Sequence, residues 1–282
     1  MFKNMRSRII FGAIIFLTAI LITVVGKTAV TLAIFVISLM ALCEMYKSLK
    51  IFKEQKIMSA MGIMYSFLIM LFITVKALSG NLDFNSYTHM MFKTTLSFLV
   101  VLLIYMVIRF EKVKFSSVSL FFVITSYITI FLSHIILIEC LPYGNALIWF
   151  VFFGAWGTDT CAYFAGRFFG RHKLIEKVSP KKTVEGAIGG VIGTVIIFAV
   201  YAFCLSKANI AINYINLIIN AVICAVISQF GDLIASCIKR ENNIKDYGSL
   251  IPGHGGILDR FDSVIVLSPL VFYLGFYLPI IM

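Results

Sequence analysis

A chain of 282 residues that is 61% hydrophobic and 13% charged, with mean hydropathy +1.00, has too little polar surface to cover a water-soluble globule. Its net charge of +11 invites comparison with nucleic-acid binders, but the cations are segregated by loop, which excludes that class and leaves no nucleic-acid partner. The six cysteines show no CxxC spacing and lie mostly in apolar runs, so they read as packing residues.

Apolar runs close to the roughly 20 residues a bilayer demands predict nine transmembrane helices. They fall at 9–25, 28–46, 57–78, 92–109, 117–140, 146–166, 184–205, 213–238 and 261–281. The expected fold class is all-α, a polytopic integral membrane protein with residues 1–282 as a single membrane domain. Met1–Arg8 and the run after it mimic a secretory signal, but no small-x-small cleavage site follows, so this is read as a retained span. Of the 24 Lys and Arg, all but Lys27, Lys76, Lys93 and Lys207 fall in the N-terminal segment and in the loops after spans two, four, six and eight. The positive-inside rule then places the N-terminus in the cytoplasm and the C-terminus outside, in the cell (inner or plasma) membrane. A basic cytoplasmic face also suits anionic headgroups and phosphates.

Residues 1–145 read mainly as scaffold helices, with Lys47, Lys50, Lys53 and Lys56 in a solvated loop. From about 154 onward Gly, Asp, Thr and Ser invade the spans, so 146–282 is the expected catalytic half with a cytoplasm-facing polar site. Asp159 lies within a span, where a carboxylate costs about 2.5–3.5 kcal/mol on insertion scales, so it needs a partner or a polar cavity. Tyr163 follows it at i+4. Next, Ser179 is expected to cap a helix starting at Pro180. That would present Lys181, Lys182 and Thr183, with Glu185 nearby, at a positive helix end suited to an anion.

Asp232, Ser236 and Lys239 are spaced i, i+4, i+7 and lie along one stripe if helical, with Arg240 beside them. The segment Lys245-Asp246-Tyr-Gly-Ser-Leu-Ile-Pro252-Gly-His254-Gly-Gly256 follows, then Asp259-Arg260-Phe-Asp262. Proline and glycines permit a tight backbone path close to a ligand. Carboxylates Asp232, Asp259 and Asp262 suit Mg²⁺, which takes oxygen ligands and leaves positions for substrate phosphates. The cations suit phosphate oxygens.

The ordered assembly from Ser236 to Asp262 resembles the signature of the phosphatidate cytidylyltransferases (CDP-diacylglycerol synthases). That signature has Ser, Lys-Arg, Lys-Asp, a small residue, Pro-x-His-Gly-Gly and Asp-Arg-x-Asp, and every one of these positions is filled. The blocks Asp159–Tyr163 and Ser179–Gly186 are similar to the same family. The resemblance covers about 154–263 at motif level; the N-terminal half matches only in hydrophobic character. It implies a Mg²⁺-dependent nucleotidyltransferase of phospholipid biosynthesis, with CTP and phosphatidate as substrates, the lipid bilayer as medium and a homodimer as assembly.

On that reading Asp232, Asp259 and Asp262 hold the metal, a second cation joins in a two-metal arrangement, and Asp246 lies in or beside the shell. Lys239, Arg240, Lys245 and Arg260 grip phosphates, and Ser236 hydrogen-bonds a phosphate or a metal-bound water. His254 positions instead of acting as a base, because the attacking phosphate is already ionised. Asp159, Lys181, Lys182, Thr183 and Glu185 complete the substrate pocket. A CTP-dependent lipid kinase, a phosphatidyltransferase and an ion-coupled transporter using Asp159 and Asp232 stay open as alternatives. The phosphatidyltransferase reading lacks its Asp-Gly…Ala-Arg arrangement.

Overall fold

The computed structural model describes residues 2–251 and 255–282, with side chains for all of these except 2–10, 53 and 54. Helix α1 (Phe2–Val25) ends at Gly26, whose φ of +98° only glycine adopts without strain, and α2 (Lys27–Ser48) starts at once. A single turn α3 (Ile51–Glu54) leads to α4 (Lys56–Leu78). Helix α5 (Phe84–Ile108) is capped by Asp83, which accepts the Ser86 N–H at 2.9 Å, and α6 (Phe115–Glu139) follows. The expected span at 146–166 is built in three pieces. These are α7 (Gly144–Phe152), a π-helical turn (Phe153–Gly157) and α8 (Thr158–Phe169).

Two short strands, β1 (Lys173–Ile175) and β2 (Ser179–Thr183), pair antiparallel before α9 (Val184–Lys207), α10 (Tyr214–Glu241) and α11 (Leu258–Tyr277). The protein is all-α in its long elements, as expected, with one short hairpin besides. The hairpin corrects the expected helix start at Pro180. Ser179 and Pro180 lie in β2, and Thr183 is the true N-cap, accepting the Gly186 N–H at 3.1 Å. Pro180 is tolerated because a two-stranded hairpin offers an edge where no donor is needed.

Helices α2, α4, α5, α6, α9, α10 and α11 are long and apolar enough to cross a membrane, and Phe11–Val25 forms a shorter apolar helix. This is the pattern of a multi-pass helical membrane protein. The chain falls into two compact units, Met1–Cys140 with Asp246–Asp259, and Leu141–Lys245 with Arg260–Met282.

In the first unit α2 packs on α4 and α6. Tyr46 is fully buried there, stacked on Phe121 with ring centres 4.8 Å apart and hydrogen-bonded to the Thr125 hydroxyl. Thr129 donates to Ser66 at 3.0 Å, and Tyr87 and Ser133 share a bond at 2.9 Å, so hydroxyl pairs tie helices that hydrophobicity alone would not hold together in lipid.

In the second unit α8 and α9 form the tightest helix pair, because α9 turns glycines toward small residues of α8. A Cβ on Gly189 would fall on Ala165, one on Gly190 would stand 3.1 Å from the Ala162 Cβ, and one on Gly193 would fall on Cys161. The Thr158 and Thr194 hydroxyls bond at 2.6 Å across this seam. The glycine stripe from Gly186 to Gly193 is thus filled from within the unit. Gly193→Ala is expected to destabilise the pair by about 1–3 kcal/mol through overpacking. Unfolding of detergent-solubilised protein in a denaturant series, compared with wild type, measures it; equal midpoints would contradict this packing.

Candidate active site

The second unit gathers carboxylates and cations from four elements. Asp159 is the second residue of α8, directly after the π turn, a helix irregularity frequent at functional sites. The same turn carries Trp156, whose indole N–H donates to the Arg260 carbonyl at 3.1 Å and so ties this segment to α11. From the hairpin, Lys182 reaches Asp232 on α10 with N···O 2.5 Å, each side chain about a quarter exposed (24% and 27%).

Asp232, Ser236 and Lys239 lie along α10 as their spacing predicted, and Ser236 and Lys239 are buried. From α11, buried Asp262 faces the repulsion of Asp232 and the attraction of Lys239 and Arg260. Asp159 interacts in the same way with Asp232 and Asp262, and with Lys182 and Arg260. Gly231 makes the approach of α10 to α11 close: a Cβ there would stand 3.1 Å from the Ser263 Cα. Three carboxylates and three cations of one unit thus act on one another, a polar centre of the kind that a polyanion with its counter-cation can use.

Other predicted residues have more local tasks. Glu185 accepts the backbone N–H groups of Arg171 (3.0 Å) and His172 and meets His172 Nδ1 at 2.6 Å, so its carboxylate closes the turn into the hairpin. Arg240 donates through Nε to the Val178 carbonyl at 3.3 Å, anchoring the hairpin from α10. Tyr163 accepts from Arg167 at 2.9 Å on an exposed face. Lys181 and Lys245 are exposed.

In the first unit, Asp259 is buried and its Oδ2 accepts the N–H groups of Tyr247 (2.8 Å) and Gly256 (3.0 Å). It thereby ties the backbone at Tyr247 and Gly256 to the first turn of α11. A carboxylate offers about four lone-pair sites, so this anchoring does not exhaust the group. Gly255 has φ +82° and would place a Cβ 2.7 Å from the same Oδ2; Asp246 is exposed, with its Cβ 3.3 Å from that position. His254 lies outside the described residues.

Sequence reasoning missed two residues. Trp156 carried no charge to single it out. Glu44 on α2, in the half read as scaffold, accepts the Leu258 N–H at 2.9 Å. Its signal was the one that exposed Asp159, a carboxylate inside an apolar helix.

The donor set can be tested against a divalent cation. Among the described residues no three His, Cys, Asp or Glu close into a metal cage. Mg²⁺ commonly needs only one or two protein carboxylates and takes its remaining ligands from water and substrate phosphates. Buried Asp262 and the partly exposed Asp232, which repel each other, fit that requirement.

Fold and site together define a multi-pass helical protein whose polar centre is matched to phosphate chemistry. The profile of the cytidylyltransferase family matches residues 6–278. A phosphatidate cytidylyltransferase of Bacillus subtilis is 31% identical over 272 residues, covering 96% of this chain and 97% of the relative. One of Staphylococcus haemolyticus is 33% identical over 267 residues (95% and 97%), and one of Haemophilus influenzae is 42% identical over 138 residues (48% of each). The chain belongs to the cytidylyltransferase family.

Proposed function

We propose that this protein is a phosphatidate cytidylyltransferase, converting CTP and phosphatidate to CDP-diacylglycerol and diphosphate. The observation that carries the reading is the cluster of Lys182, Lys239 and Arg260 among Asp159, Asp232 and Asp262. The relatives' shared name narrows the polyanions to this pair.

A phosphatidate oxygen attacks the α-phosphorus of CTP. The new P–O bond forms as the α–β bridging bond breaks, and both electrons leave with diphosphate. The attacking phosphate is already ionised, so no strong general base is required. Catalysis is alignment and charge neutralisation. Lys182, Lys239 and Arg260 neutralise phosphate oxygens, and Ser236 donates a hydrogen bond to one. Asp232 and Asp262 are the residues assigned to hold Mg²⁺, which when bound supplies Lewis-acid neutralisation of the triphosphate. Asp159 keeps the cluster's cations oriented. Asp259 is retained as a further ligand, and its Oδ2 also holds the Tyr247 and Gly256 N–H groups. The charge asymmetry supports nine spans with a cytoplasmic N-terminus, which puts CTP entry on the cytoplasmic side and lipid entry from the bilayer. The homodimer implied by the family is retained, with contacts other than the Gly186–Gly193 stripe.

Detergent-purified protein with α-phosphate-labelled CTP, phosphatidate and Mg²⁺ should transfer label to the lipid phase with one diphosphate released per lipid labelled. Chelation should abolish transfer and added Mg²⁺ restore it. Lipid labelled only from γ-labelled CTP would replace this assignment with a lipid kinase. Folded protein that labels no lipid from either nucleotide would sink both.

A further inference from the structure

The first unit contains a contact that the reaction as described does not use. Glu44 sits near the end of α2, half-buried in an otherwise apolar helix. Its Oε2 accepts the N–H of Leu258, the first residue of α11, at 2.9 Å. The first-turn N–H groups of a helix have no partner within the helix, and a carboxylate placed there satisfies one and complements the helix dipole.

The loop is also moulded around this side chain. A Cβ on Gly248 would stand 2.7 Å from Oε1, and one on Gly256 would fall on Oε2. Only glycine lets the backbone approach the carboxylate from both sides. On its other side the loop is held by Asp259, which takes the Tyr247 and Gly256 N–H groups. The loop backbone therefore lies between two carboxylates, one of them 214 residues away along the chain from the N–H it holds.

We infer that Glu44 is a positioning residue of the reaction: its carboxylate anchors the backbone at Gly248 and Gly256 and the first residue of α11, the helix whose sequence goes on to Arg260 and Asp262. It touches neither substrate nor reacting atoms. Charge-assisted hydrogen bonds to backbone N–H are about twice as strong as neutral ones, so an amide of the same shape should hold the loop less firmly. The inference rests on the cytidylyltransferase reading for its catalytic part alone.

The test uses the full-length protein in detergent with labelled CTP, phosphatidate and Mg²⁺, alongside hydrogen exchange at the Tyr247, Gly256 and Leu258 amides. Glu44→Gln should lower turnover about tenfold and raise exchange at these amides about as much, a loss equivalent to about 1.4 kcal/mol. Amides of α4 and α6, which pack on α2, should exchange as in wild type. Gly256→Ala should reproduce both effects without altering α2. In the double variant E44A/G256A the methyl enters the space the carboxylate left, so the loss should be no greater than in Glu44→Ala alone.

The proposal is overturned if Glu44→Gln keeps turnover within twofold, if α4 and α6 loosen together with the loop, or if the two single losses multiply in the double variant. Should the Gln variant fail to fold, the Gly256→Ala exchange pattern decides in the same way. Folded wild-type protein that labels no lipid would overturn the reaction and this residue's part in it, and the exchange measurements would still show whether Glu44 ties the loop.

Discussion

Asp232→Asn is expected to lower lipid labelling by about 100-fold or more, the range found when one preorganised electrostatic element is removed from an active site. Two causes contribute. The cluster loses a negative charge assigned to the counter-cation, and Lys182, 2.5 Å away, loses its partner. A double variant separates them. If Asp232 served only to neutralise Lys182, then Lys182→Met added to Asp232→Asn would restore turnover toward the wild-type value. The cation-holding reading requires that it does not, because the substrates' phosphates then lose Lys182 as well. The pair is partly exposed, so its contribution to folding is expected to be small, about 1 kcal/mol or less. Unfolding midpoints of the single variants should stay near wild type while turnover collapses. Activity of Asp232→Asn within tenfold of wild type would remove Asp232 from the site.

Gly255→Ala is the second variant with a large expected effect. The residue holds φ +82°, where an alanine costs about 1–2 kcal/mol. Its new methyl would also stand 2.7 Å from Asp259 Oδ2 and 3.1 Å from Cγ, displacing the carboxylate that holds the loop. Turnover should fall at least about tenfold, since a shift of about 1 Å in a positioning element commonly has consequences of that size or greater. Gly80→Ala is the control. Its φ of +74° carries the same backbone penalty, yet nothing lies within 4 Å of the position. It should lower the unfolding midpoint modestly and leave turnover unchanged. Unchanged turnover in both variants would mean that displacing the Asp259 carboxylate does not reach the reaction.

The long helices were legible from the chain because a bilayer imposes a length on apolar runs, and α2, α4, α6, α9 and α10 match their expected spans to within a few residues. The stripe of Asp232, Ser236 and Lys239 was legible for the same kind of reason: helical periodicity is local, and α10 runs unbroken through all three. The helix start before α9 was misplaced because Ser179-Pro180 satisfies two local rules at once, N-cap and edge strand. Pairing with Lys173–Ile175 is what decides between them. Glu185, placed in the substrate pocket by the family resemblance, also accepts two backbone N–H groups of the preceding turn, a contact that its position in the sequence did not show.

The sequence by itself determined the apolar helices, the basic loops and the order of the signature from Ser236 to Asp262, since each depends on composition or spacing over a few turns. Only the tertiary structure decided which charges meet. Lys182 pairs with Asp232, Asp262 feels Lys239 and Arg260, Trp156 bonds the Arg260 carbonyl, and Glu44 caps Leu258. Those partners are far apart along the chain. A charge in an apolar setting announces that it needs a partner, because leaving it alone is costly, but its identity is settled by the packing that brings distant helices to one place.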